Sequence, residues 1–311
     1  MSFPFPRKIS GAQRLAAIGV LLVAKAVLAQ SGAASPVDAD AVVRHGVANH
    51  FAEEAAHQPL RFILHRRDTS HDLTRAVIET RQGDVALLIG VNGKPLDSEA
   101  RQAQIARLNN IAADPALQAH RRKREREDAA RVDKIMRLLP NAFLYRYVDT
   151  QPCNVSRVPD VLIPGAPTLA AASPEELPDL CYHMTFRPNP AFDPPDTESR
   201  ILSGMAGDIL MEKSQERLYR LNAHLVSDVD FGWGIVGRLN KGGTIYLEQD
   251  DIGGGDWELT RMRLNLTGKI LLVKALTVRL SEETGHFSRV PPNLDYREAI
   301  RMLETDPRFD R

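Results

Sequence analysis

Between residues 205 and 280 the chain alternates runs of strand-forming residues with short polar or glycine-rich breaks. The breaks are Glu212-Lys213-Ser214, Asn240-Lys241-Gly242-Gly243, Gly253-Gly254-Gly255-Asp256 and Thr267-Gly268. Thr244-Ile245-Tyr246-Leu247-Glu248-Gln249 precedes the triple glycine and Trp257-Glu258-Leu259-Thr260 follows it. Glycine supplies the positive φ that tight hairpins need, so the pattern predicts one antiparallel hairpin after another. A sheet built this way curves and must cover one face with apolar groups.

Upstream the periodicity changes. Val43, Val47, Phe51 and Ala55 recur every four residues, which predicts a helix over 38–56 that Pro59 closes. Three strands are expected at 62–67, 73–80 and 85–91, with Gln82-Gly83-Asp84 as the second turn. Asp97-Ser98 caps a helix to about 112, carrying Ile105 and Leu108 on its apolar side. Asp114-Pro115 starts another that should end at Pro140. Strands at 143–148 and 181–187 and a short helix at 296–304 complete the pattern. The order is helix, strands, helical insertion at 97–139, strands. It predicts an α+β chain, mainly antiparallel β, with one domain from 30 to 311.

The first residues change the compartment. Arg7, Lys8 and Arg14 flank the start of an apolar run from 15 to 28, and small residues follow around Ala29 and Gln30. That arrangement predicts a signal peptide over 1–29, cleaved between Ala29 and Gln30, and an exported, periplasmic protein. The alternative is a retained anchor, but the run is short for a span of about 20 residues and contains Lys25. Cys153 and Cys181 are the only cysteines, and an even count in an oxidising compartment favours a disulfide between them. Pro159, Pro164, Pro167, Pro174 and Pro178 lie in the loop it would tether. Lys plus Arg is 40 and Asp plus Glu is 40, so net charge offers nothing for nucleic acid, which is not an expected partner.

Candidate chemistry adds little. Residues 237–244 fall one position short of a phosphate-binding loop, and a strand rather than a helix is expected after them. His50, Glu54 and His57 share a helix face at i, i+4 and i+7, but exposed polar residues explain them without a metal. Residues 120–128 are densely charged, and opposite charges four apart make them a solvated face. Asp228, Asp230, Asp250, Asp251 and Asp256 sit at expected turns and strand ends, so a hydrolase is a minor alternative. No Gly-x-Ser-x-Gly or Ser-x-x-Lys motif is usable. The expectation is a non-enzymatic protein with no cofactor and no metal.

Apolar stripes remain. Phe143, Tyr145 and Tyr147 share a strand face, as do Tyr182, Met184 and Phe186; so do Tyr219, Leu221, Ala223 and Leu225, and Val85, Leu87, Ile89 and Val91. A curved sheet with few helices leaves part of such a face as an apolar cavity. Through Gly204-Met205-Ala206-Gly207-Asp208-Ile209-Leu210-Met211, residues 218–243 and residues 257–274, with Gly268-Lys269 at a turn, the chain resembles the outer-membrane lipoprotein-sorting family of periplasmic carriers. The resemblance covers roughly 60–290 and implies a curved unclosed β-barrel, a half-barrel whose covering helices shelter acyl chains. The helical insertion and the cysteine loop depart from that pattern. The predicted ligand is a lipid or lipoprotein acyl chain, lined by Leu87, Ile89, Tyr145, Tyr147, Tyr182, Phe186, Ile209 and Leu221. The alternative is an envelope interaction or sensing module, with an envelope protein as partner and a filled core.

Overall fold

A computed structural model describes residues 37–153, 159, 161–165, 179–231, 237–270 and 274–309. The segment expected to be a signal peptide, with Ala29 and Gln30, and most of the proline-rich segment lie outside the described residues. Helix α1 (Ala39–Ala56) begins at Asp38, whose carboxylate accepts the Ala41 N–H at 2.9 Å. Strands β1 (Leu60–Asp68), β2 (Asp72–Ile78) and β3 (Val85–Val91) form a meander, and β4 (Lys94–Pro95) folds back on β3. Helix α2 (Ser98–Ala113) is capped by Asp97, and α3 (Pro115–Ala142) by Asp114, with Pro115 where a missing N–H costs nothing.

Pro140 does not end α3, as its sequence position predicted. It removes a single hydrogen bond, and the last carbonyls find partners elsewhere. Asn189 donates its backbone N–H to the Ala142 carbonyl and its side-chain amide to that of Asn141, both at 2.9 Å.

The remaining strands are β5 (Phe143–Pro152), β6 (Leu180–Pro188), β7 (Met205–Glu212), β8 (Arg217–Leu225) and β9 (Val229–Phe231), followed by β10 (Gly237–Leu239), β11 (Thr244–Asp251), β12 (Trp257–Ile270) and β13 (Lys274–Arg289). A 3-10 helix spans Ser199–Gly204, and α4 (Tyr296–Glu304) follows β13. All thirteen strands join one antiparallel sheet in the order β4-β3-β2-β1-β13-β12-β11-β8-β7-β6-β5, with β10 and β9 branching from β12. The terminal strands do not meet, so the sheet is unclosed. The turn expected at Thr267-Gly268 is instead the interior of β12. Gly268 is needed there for close approach: a Cβ would sit 2.1 Å from the Arg238 carbonyl oxygen on β10.

Directly opposed residues in an antiparallel pair share a face, so the register traces both faces across the sheet. One row runs Met184, Ile209, Leu221, Leu247, Met262, Glu282, Arg66. We term its face inner; α1 and the end of α3 cover it over β5–β8. Ile63 pairs with Ala76, and Ala76 with Leu87, on the outer face. There α2 and α4 pack a second core, with Leu108, Ile300 and Leu303 at most 2% exposed. At roughly 1.5–3 kcal/mol per fully buried Leu or Ile, this core fixes β1–β3 against their helices.

The helical insertion is therefore divided. α2 serves the outer face, and only the end of α3 reaches the inner one. The cysteine loop is likewise not wholly a surface feature: Val161 is 3% exposed in the second core. His286, at the β13 bulge opposite β1, donates to the Val161 carbonyl at 2.8 Å. Among the described residues no helix is long and apolar enough to cross a membrane.

Candidate functional site

A cavity of about 310 Å³ lies between α1, the end of α3 and the inner face. It falls at the small end of the range usual for ligand pockets. Its roof is Val43, Gly46 and Val47 of α1 with Ile135, Met136 and Leu139 of α3. Its floor comes from Ile209, Met211, Leu218, Leu221, Ile245 and Leu247, and Phe143 and Phe186 close one side. Ile201 and Leu202 of the 3-10 helix and Met205 form another wall.

The roof is held at defined points. Gly46 lets α1 approach the sheet: a Cβ there would meet Met211 Cε at 2.3 Å and the Glu216 carbonyl at 3.0 Å. The Arg137 guanidinium stacks 3.7 Å from the Phe51 ring centroid, which ties α3 to α1. Lys134 pairs with Asp196 at 2.5 Å, fastening α3 to the segment that leads into the 3-10 helix.

One end of the cavity is polar. His50, Glu53, Arg217 and Gln249 reach it. Glu53 pairs with Arg217 at 2.5 Å and accepts the Trp257 N–H at 2.7 Å, so one carboxylate joins α1 to β8 and β12. Arg217 Nε is buried without a hydrogen-bond partner. Four residues on, His57 ends α1 with Nε2 2.7 Å from Glu79 and Nδ1 3.6 Å from Glu258.

The hydrogen bond that His57 donates to Glu79 raises the His57 pKa above its ordinary value, more than burial lowers it. Burial, aided by Glu79, Glu53 and Asp256, pushes Glu258 up to about 7. Burial and the nearby carboxylates of Glu79 and Glu125 push Asp84 up to about 7. All three groups hold protons more tightly folded than unfolded. The His57 contribution is complete below its unfolded value and is lost as pH rises through its folded one. Those of Glu258 and Asp84 fade between their unfolded values and about pH 7. Urea denaturation is therefore expected to show a higher midpoint at pH 5.5 than at pH 8, with Glu258→Gln narrowing the gap. A midpoint that rises over that interval contradicts this assignment.

Three of the eight residues proposed from sequence line the cavity: Phe186, Ile209 and Leu221. Tyr145, Tyr147 and Tyr182 belong to the same inner-face cluster but outside the cavity wall. The Tyr145 hydroxyl donates to the Leu139 carbonyl at 3.0 Å, and burial raises its pKa. Leu87 and Ile89 are elsewhere, on the outer face beneath α2 and α4. Alternation alone gave them a face but not which face, and the register through β13 and β1 decides it.

Tyr219 also parts from its stripe. Leu218 opposes Met211 while Arg220 opposes Leu210, so Tyr219 is the extra residue of a bulge. It joins Cys153, Cys181 and Leu210 in a third cluster. The alternation of Ile245 and Leu247, and the helical spacing of Ile135 and Leu139, were available signals for further lining residues. The 3-10 helix had none.

The remaining candidates do not converge. His50 is at the cavity and His57 at the end of α1, and no group of three or more His, Cys, Asp or Glu among the described residues is placed to hold a metal ion. Asp228 accepts the Lys241 N–H and Asp251 the Gly253 N–H, as turn aspartates do. Asp230 pairs with Arg238 and Asp256 with Arg289, both at 2.6 Å. In the charged run, Arg121–Glu125 and Lys123–Glu127 are paired at 3.9 and 3.7 Å, whereas Asp128 turns to Arg131. No protein-family model and no curated protein matches this sequence.

Proposed function

We propose that this protein is an exported, non-enzymatic carrier that shelters an acyl chain of a lipid or lipoprotein between α1, α3 and the inner face. The observation that carries the reading is the apolar cavity of about 310 Å³ beneath two helices on an unclosed sheet. Transfer of a chain from water contributes roughly 0.8 kcal/mol per buried methylene, so binding needs no specific polar contact. Such a ligand displaces poorly hydrated space and keeps the roof helices in place. The Cys153–Cys181 disulfide suits an oxidising, periplasmic compartment. The resemblance to lipoprotein-sorting carriers points the same way. The second reading, an envelope interaction module, calls for a filled inner core, and the cavity weighs against it.

Uptake of a fluorescent fatty acid tests the proposal. Leu221→Trp inserts an indole into the cavity floor and should weaken uptake about tenfold or more, the scale set by the loss of two or more buried methylenes. Leu144→Trp, on the outer face of β5 and 36% exposed, is the matched control and should leave uptake alone. Equal uptake by both variants, or none by the unsubstituted protein, sinks the reading.

A further inference from the structure

The inner face continues past the cavity. From Leu247 in the floor, directly opposed residues lead through Met262 and Glu282 to Arg66. Three strand steps of about 4.8 Å make this about 14–15 Å along the sheet. That is close to one hydrocarbon leaflet, half of a roughly 30 Å bilayer core. Leu264 and Leu280, paired on the same face, are half-buried along the way, and so are Phe62 and Leu64 on β1. α3 is anchored at the β2–β3 turn and again at α1, and residues 126–132 between are all exposed.

At the end of this path the chemistry turns cationic. Arg75 opposes Leu64 and so lies on the inner face beside Arg66. Arg66 pairs with Glu282 at 2.9 Å, and the Glu282 charge also acts on Arg75. The Arg75 side chain makes no hydrogen bond or ion pair among the described residues, although the residue is half-buried. Arg107 of α2 adds a third positive charge that acts on it. Arg66 and Arg75 against Glu282 leave a local excess of one positive charge, to which Arg107, bonded to the Ala86 carbonyl at 3.3 Å, adds its field. Burial and the two like charges lower the Arg75 pKa. A guanidinium fork left open in such surroundings is matched by a phosphate or carboxylate, which accepts two parallel N–H bonds.

We propose that Arg75 and Arg66 form a site for the anionic headgroup of the lipid whose acyl chain occupies the cavity. The inference rests on the acyl-chain reading and adds a ligand class: a single-chain or diacyl amphiphile with a phosphate or carboxylate head. A neutral glyceride fills the cavity but leaves the Arg75 guanidinium without a partner. Free phosphate has the head without the tail that brings it there.

Competition binding against a fluorescent fatty acid separates these. Lysophosphatidate and oleate should bind the unsubstituted protein about tenfold or more tightly than monooleoylglycerol, the worth of one charge-assisted bond pair. The Arg66→Gln/Arg75→Gln variant should bring that ratio to about threefold or less, with its retained glyceride binding reporting that it is folded. Inorganic phosphate should not compete at concentrations where lysophosphatidate does. A ratio near one in the unsubstituted protein, or one that survives the double substitution, overturns the headgroup site and leaves the acyl reading standing. Competition by phosphate as effective as by lysophosphatidate also overturns it. Failure of every acyl ligand, glyceride included, overturns the acyl reading itself.

Discussion

Glu248→Ala should cost about 3–5 kcal/mol of unfolding free energy, because it removes the shared partner of two largely buried arginines. Glu248 is 2% exposed on the outer face of β11. Arg220 on β8 donates to it at 3.2 Å, Arg261 on β12 donates to its other oxygen, and the Tyr246 hydroxyl donates beside them. One carboxylate thus fastens three adjacent strands. Burial and the Glu248 charge push the Tyr246 hydroxyl up to about 12. Asp250, which accepts from Thr260, is pushed up to about 6, mainly by burial. Asp250 is still mostly ionised near neutral pH, but its nearest oxygen lies 3.9 Å from the Arg261 guanidinium, too far to replace the Glu248 hydrogen bond.

Without Glu248 the two guanidinium groups face each other across a dry strand, and the loss exceeds that of an exposed pair several-fold. Because Ile245 and Leu247 of the same strand form cavity floor, ligand uptake should fall with stability. Glu248→Gln keeps the shape and some hydrogen bonds and should lose less. Chemical denaturation of the three proteins measures this, and a loss under about 1 kcal/mol for the alanine variant contradicts it.

Reduction of the disulfide is the second large effect. Cys153 and Cys181 are bonded with Cα atoms 5.0 Å apart, closing a loop at a sequence separation of 28. The chain-entropy model gives such a loop about 3–4 kcal/mol. For a chain of this size that lowers the melting temperature by roughly 6–12 °C. The loop is more than tethered slack, because Val161 supplies part of the second core. Loosening it should expose the outer face of β1–β3 before the inner cavity. Hydrogen exchange of the reduced protein should therefore rise first in β1–β3 and α4, while α1 stays protected. An unchanged melting temperature, or earliest exchange in α1, contradicts this picture.

Local patterns were legible wherever a residue's role is set by its near neighbours. Asp38, Asp97 and Asp114 cap helices because their carboxylates reach N–H groups two or three residues on, and Tyr296–Glu304 is helical as its spacing predicts. Face assignment was harder. Leu87 and Phe186 carry the same alternation, yet the register through β13 sends one to each side of the sheet. A bulge at Tyr219 moves one aromatic out of its stripe, and no local signal marks it. Gly268 looked like a turn because glycine is required both for turns and for close strand contact, and only the β10 neighbour distinguishes them. The site depends on pairings far apart in sequence: Glu53 with Arg217, His57 with Glu258, and Arg66 with Glu282.

Native mass spectrometry of the protein purified from an exported fraction tests the central claim most directly. The acyl-chain reading predicts a population carrying a lipid-sized mass, released by organic extraction as a species with an acyl chain, and depleted in Leu221→Trp. A protein that is ligand-free in that preparation, and stays so after incubation with fatty acid, contradicts it.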